Sequence, residues 1–325
     1  MTRLDALNLV LLINFASTFD EHFLMSQVLI TGGSGLIGQR LTSLLQKEGF
    51  DVAWLTRSSE KKSGIRIYHW DLKRNFIEEE ALFDTYHIIH LAGTNVAHYW
   101  TSAYKKKILS SRIETAQLIF EKLSSIKNHV KTFISASGVG FYKDGGDEWL
   151  NENSPAGNDF LSNVCQEWES AANHFRELDK RVVILRTGIV LAKDDGTLPA
   201  LISPMKFGIA PIFGNGKQFY SWIHVHDLCR MYLQAIKNET MNGIYNSVAP
   251  QPIRFKELAN KIASVRRKPK IDFPVPKFLL QLMLDGFGAT LLSSLRCSSK
   301  KIEETGFQFQ YSDLKYALDN LVGNK

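Results

Sequence analysis

One octapeptide constrains this chain more than any other: Thr31-Gly32-Gly33-Ser34-Gly35-Leu36-Ile37-Gly38. An apolar run with strand character, Gln27-Val28-Leu29-Ile30, leads into it, and Leu36–Glu48 leads out with leucines at helical spacing. Strand, glycine turn and helix, in that order, build a cradle for the pyrophosphate of a dinucleotide. Gly32 permits the tight turn, Gly35 lets the backbone come close to the phosphates, and Gly38 lets helix approach strand. The phosphates then meet the free N–H groups at the positive end of the helix. Residues Gly32, Gly33, Ser34, Gly35, Leu36, Ile37 and Gly38 are therefore expected to touch the cofactor.

At 325 residues the chain suits one large domain, or one domain with a smaller lobe. Its 44% hydrophobic and 22% charged residues are ordinary for a globular protein. Cys165, Cys229 and Cys297 form no C-x-x-C pair, which points to a reducing, cytoplasmic setting without structural zinc. The formal charge of +6 is read as spread along the chain. The one run noted, Lys105-Lys106-Lys107, falls in an expected helix and reads as a solvated face. A small-molecule substrate is expected, with no nucleic acid, no membrane and no metal, in a monomer or homodimer. Residues 1–24 read as a leader that is not native to the protein: Ala6–Ile13 is too short to span a bilayer, and Met25 stands directly before the first strand.

Strands are expected at Asp51–Thr56, Ile65–His69, Tyr86–Leu91, Val130–Ser135 and Val182–Arg186, with helices at Trp100–Ser124 and Asn158–Arg176. Their alternation implies right-handed crossovers, hence an α/β Rossmann-type, doubly wound parallel sheet. After Thr187 glycine and proline become frequent, β and α resume at Trp222–Ile236 and Gly243–Val248, and helical stretches end in Ser312–Leu321. The expected organisation is a dinucleotide-binding domain over 25–190, with 220–248 returning to it. Residues 191–219 and 249–325 form a smaller substrate lobe at the C-terminal edge of the sheet.

An NAD site places a carboxylate about 20 residues past the glycines, to bind the ribose 2′-hydroxyl. This chain has Thr56-Arg57-Ser58-Ser59 at the end of its second strand. A guanidinium there suits a 2′-phosphate, with Ser58 assisting, so NADP(H) is expected over NAD; the alternative is a solvent-exposed arginine at a strand end. Asp71 and Leu72 fall where the adenine would lie, and Leu91, Ala92 and Gly93 where the ribose would.

These pieces resemble the extended short-chain dehydrogenase/reductase superfamily, and more narrowly its NAD-dependent, nucleoside-diphosphate-sugar epimerase-like branch. The resemblance rests on Thr31–Gly38, His90–Gly93, Ser111-Arg112 and Ser135–Tyr142. It continues through Trp168-Glu169, Leu185–Gly188, Gly214–Gln218 and Trp222–His224. It implies a substrate resembling a nucleotide sugar and hydride transfer at a carbinol or carbonyl carbon. In that superfamily a Ser orients the substrate, a Tyr acts as acid/base and a Lys lowers the Tyr pKa. Ser137 matches the serine, and Ser135 on the same strand is assigned to the cofactor. Registering Glu169 on the family's helix puts Leu161 at the tyrosine and Cys165 at the lysine, so the acid/base pair is missing.

Tyr142 is then a proton donor or a packed loop aromatic, and Cys165 either faces the nicotinamide or is a buried helical thiol. The resemblance implies that His224 lines the substrate pocket. Lys217 is read as neutralising a substrate phosphate or as part of a tight turn. Arg112 and Arg186 stand open between ligand contact and structural ion pair. Two functions follow: an NADP-dependent epimerase or reductase with an atypical site, or a non-catalytic NADP(H)-binding sensor or interaction module.

Overall fold

Short apolar runs bounded by turn residues become the strands of one eight-stranded sheet: β1 Gln27–Thr31, β2 Asp51–Thr56, β3 Arg66–Asp71, β4 Phe76–Ile77, β5 Thr85–His90, β6 Thr132–Gly138, β7 Arg181–Thr187 and β8 Gly243–Ser247. The order across the sheet is β8-β7-β6-β5-β1-β2-β3-β4. The computed structural model describes residues 27–57, 64–267 and 270–323, except the side chain of Met283. The leader and Ser58 lie outside the described residues. All pairings in the sheet are parallel except that of β4, which closes one edge antiparallel with Trp70 opposite Ile77.

Alternation along the strands divides the core. Val28, Ile30, Val52 and Trp54 face one side, against α1 (Leu36–Lys47) and the helix Val225–Lys237. Leu29, Ala53, Leu55 and Ile88 face the other, against α2 (Ser102–Ser125) and α3 (Phe160–Asn173). A strand covered on both faces needs apolar residues on both, and every residue of β1 is buried. In α1 the buried positions Gly38, Leu41, Thr42 and Leu45 fall at i, i+3, i+4 and i+7, one stripe of a helix.

A third cluster gathers Leu198, Leu201, Ile212, Trp222, Phe255, Leu258, Leu314 and Leu318. Part of it lies under a two-stranded parallel ribbon, Ile209–Phe213 with Ile271–Val275.

The chain runs outward from β1 through β2 and β3, then returns to β5 on the other flank of β1. The C-terminal ends of β1 and β5 therefore form a topological switch point, where open α/β sheets hold ligands.

Candidate functional site

At this switch point Gly32 has φ +71°, and a Cβ there would stand 2.9 Å from the carbonyl of Leu91. Its carbonyl accepts from the N–H of Gly35 at 3.1 Å, closing the turn. A Cβ on Gly38 would stand 2.5 Å from that same carbonyl oxygen, so the third glycine brings the helix against the turn itself rather than against the strand. Gly33 lies under the indole of Trp54, which a Cβ would meet at 2.5 Å. That indole donates to Thr42 Oγ1 at 2.8 Å, and Thr42 donates to the carbonyl of Gly38 at 2.7 Å. Trp54 and Thr42 thus support the cradle, a role that nothing in their local sequence signals.

Gly35 caps α1 without a side-chain hydrogen bond, and the first turn holds no acidic residue. A Cβ at Gly35 would meet only the Gly32 carbonyl, at 3.4 Å. Uncapped N–H groups beside open space, at the positive end of a twelve-residue helix, fit a pyrophosphate. Ser34 is exposed and Leu36 and Ile37 half-buried at this end.

The facing loop after β5 is tied to the turn. Thr31 Oγ1 accepts from the N–H groups of Leu91 and Ala92 at 3.2 and 3.1 Å, and the Thr31 carbonyl also accepts from Leu91. Ser111 Oγ accepts from Thr94 N–H, while Arg112 donates to the Thr94 carbonyl at 3.0 Å. The Arg112 guanidinium lies over Trp168 and against Gly93, where a Cβ would meet it at 3.0 Å. Burial lowers its pKa to about 10. Arg112 is therefore a structural clamp. His90 is buried between Thr115 Oγ1 at 2.9 Å and the indole N–H of Trp168 at 3.4 Å, and burial drives its pKa to about 3.

Arg57 is exposed directly after β2. Asp71 Oδ1 accepts from Lys73 N–H and caps the short 3-10 turn Leu72–Arg74.

Where β6 ends, Ser137 sits under α3. Its Oγ donates to Glu169 Oε1 at 2.7 Å, and Arg186 grips the same carboxylate twice, at 2.8 Å from both Nε and Nη2. All three side chains are buried. Arg186 also lies over the rings of Phe141 and Tyr142. Leu161 packs against Gly140, where a Cβ would stand 2.7 Å from its Cδ2, and Cys165 Sγ lies beside Gly138. The positions registered to the superfamily's tyrosine and lysine thus face the end of β6 as an isobutyl group and a thiol. Burial pushes the Cys165 thiol up to about 12, so it is a protonated core group.

Several expectations change. The Tyr142 hydroxyl is buried and donates to Asn246 Oδ1 at 2.6 Å, and burial raises its pKa, which makes it a packed aromatic rather than an exposed proton donor. Ser135 is fully buried with its Oγ donating to the Ala136 carbonyl, so its side chain is turned into the sheet. His224 lies beneath Tyr311, rings 3.8 Å apart, and its Nδ1 accepts from His226 N–H to cap the following helix, so the ring is buried and serves as a cap. Asp227 accepts from the N–H groups of Gln310 and Tyr311. Lys217 belongs to a turn in which Asn215 Oδ1 accepts its N–H, and it lines an open depression of about 610 Å³ with Asp144, Asp147 and Arg254.

A glycine turn at the switch point of a doubly wound sheet, facing a clamped loop, defines a dinucleotide-binding α/β protein. Within that class the chain belongs to the NAD dependent epimerase/dehydratase family, whose model matches residues 28–247; residues 275–321 match a domain of unknown function, DUF1731. An epimerase family protein of Staphylococcus aureus strain MRSA252 is 33% identical over 299 residues, 92% of this chain and 99% of that one. The human epimerase family protein SDR39U1 (isoform 2), solved with NADPH, superposes with a TM-score of 0.81 at 26% identity, covering 91% of this chain and 98% of that one. A nucleoside-diphosphate sugar epimerase from Corynebacterium glutamicum gives 0.74 at 32% identity, covering 91% of this chain and 58% of that one.

Proposed function

We propose that this protein is an NADP-dependent epimerase or reductase acting on a carbinol or carbonyl of a small substrate of the nucleotide-sugar kind. The observation that carries the reading is the uncapped N-terminus of α1 beside the Thr31-clamped loop, with Arg57 rather than a carboxylate following β2. Similarity to a human relative solved with NADPH supports the choice of dinucleotide. Bound nicotinamide would supply or take up hydride. The glycine turn would hold the pyrophosphate, Arg57 the 2′-phosphate, and Leu91–Gly93 would border the ribose.

Ser137 would meet the substrate oxygen. Its hydrogen already points at Glu169, an acceptor-only group when ionised, so its free lone pairs favour a substrate hydroxyl that donates. Glu169, gripped by Arg186, would hold the Ser137 hydroxyl in this orientation toward the substrate. Tyr142 takes no part.

A second reading, an NADP(H)-binding sensor or interaction module, is favoured by Leu161 and Cys165 in place of an acid/base pair. The full chain is purified and its retained dinucleotide identified, then carbonyl and nucleotide-sugar substrates are screened with the wild type and Ser137→Ala. Turnover lost in Ser137→Ala supports the enzyme. Tight NADPH binding without turnover supports the sensor, and no dinucleotide affinity overturns both.

A further inference from the structure

In the ribbon Ile209 lies beside Ile271, Pro211 beside Phe273 and Phe213 beside Val275. One face carries Ala210 and Ile212 into the third core cluster. The other carries Ile209, Ile271 and Phe273, which are 43%, 77% and 56% exposed. Phe207, two residues before Ile209, is 84% exposed. The chain leaves the ribbon into the helix Lys277–Leu284, where Phe278 and Leu282, one turn apart, are 69% and 74% exposed. Parallel strands are ordinarily covered on both faces, and large apolar groups gathered in this way mark an interaction surface.

The sequence that forms this ribbon's second strand and its flanks is one-sided in charge. Residues 266–278 contain Arg266, Arg267, Lys268, Lys270 and Lys277 against Asp272 alone, a surplus of four in a chain whose formal charge is +6. Asp272 is itself bridged by Lys256 and Lys270, and Lys206 adjoins Phe207. Such a collar repels the same face of a second copy. Pro274, which has no N–H, makes the outer edge of Ile271–Val275 a poor template for an added strand. Phe207, Phe273 and Phe278 could stack on bases, but half of the exposed groups, Ile209, Ile271 and Leu282, are aliphatic and suit acyl chains instead.

We propose that this face docks on an anionic phospholipid surface. The exposed apolar side chains enter the boundary between headgroups and acyl chains, and the cations meet the phosphate and acidic headgroups. No helix among the described residues is long and apolar enough to cross a membrane, so the contact is peripheral. The expectation of no membrane partner gives way, at this face, to a surface contact that needs no spanning segment.

The full chain is sedimented with phosphatidylcholine vesicles and with vesicles that also contain phosphatidylglycerol. Binding is expected only to the anionic vesicles, weakened about tenfold or more by high salt. Phe207→Ser with Phe273→Ser should weaken it by about tenfold or more through lost apolar insertion. Arg267→Glu with Lys277→Glu should abolish it. Retained NADPH binding shows that these surface variants are folded. Failure to sediment with anionic vesicles overturns the proposal, as does binding untouched by the substitutions. So does preferential binding of single-stranded RNA, or a dimer that the two serine substitutions convert to a monomer.

Discussion

Ser137 gives its one hydroxyl hydrogen to Glu169, over 2.7 Å, in a site where both side chains are buried. An ionised carboxylate cannot give a hydrogen back. The serine is thereby oriented by a group four residues beyond the position registered to the superfamily's lysine. Arg186 holds the other end through two further bonds.

Arg186→Leu leaves the Glu169 carboxylate buried without its partner. Unfolding in urea should show a loss of about 3–5 kcal/mol, the usual cost of breaking a buried pair from one side. Replacing both residues by apolar ones should cost less than the single change, because no unpaired charge remains. Equal losses would contradict this account of the pair.

Gly38→Ala places a methyl 2.5 Å from the Gly32 carbonyl oxygen, a contact that forces helix and turn apart. Overpacking of this kind costs about 1–3 kcal/mol. NADPH affinity, followed by calorimetry, should fall further than stability does if the displaced N–H groups hold the phosphates as proposed. Gly35→Ala has only a 3.4 Å contact and should fold normally, so any effect there reports the approach of the ligand.

Arg57→Ala should weaken NADPH binding about 10- to 100-fold, as loss of a charge-assisted hydrogen bond to phosphate does. NADH binding should change little. Equal affinity of the wild type for the two dinucleotides would remove the role assigned to Arg57.

Stability should fall on acidification. Burial holds His90 at about 3, and His87 and His224 at about 4, against about 6.5 when unfolded. Below pH 6.5 the unfolded chain takes up protons that the native chain refuses. The stability these neutral rings lend is therefore present above the unfolded pKa and drains away as pH falls toward 4. The slope approaches about 4 kcal/mol per pH unit if all three respond fully. Urea midpoints measured between pH 7 and 5 test it; a flat profile would show that the rings are not neutral and enclosed.

The eight-residue glycine run and the strand–helix alternation were enough to read the sheet, because both are local: turn chemistry sits in adjacent residues, and periodicity in a dozen. The second strand was placed at the observed bounds, Asp51–Thr56. The expected helix Asn158–Arg176 instead ends at Asn173 and tightens into a 3-10 turn, His174–Leu178. The site was legible only where one segment supplies it.

That Trp54 roofs Gly33, or that Thr31 holds Leu91, depends on register between strands far apart in the chain. The family resemblance put His224 in the substrate pocket, yet Tyr311, 87 positions further on, covers it. The cationic run at 266–270 was passed over because its meaning comes from the bare ribbon beside it.

The bond from Leu91 to Thr31 spans 60 residues of chain. The phosphate cradle is finished only when β1 and β5 have paired, a contact whose loop closure comes late in folding. Dinucleotide therefore has nothing to grip in a partly folded chain, and it acts after the fact, drawing the equilibrium toward molecules already assembled. Its protection should rise with the logarithm of its concentration and leave the folding rate alone, slowing only the way out.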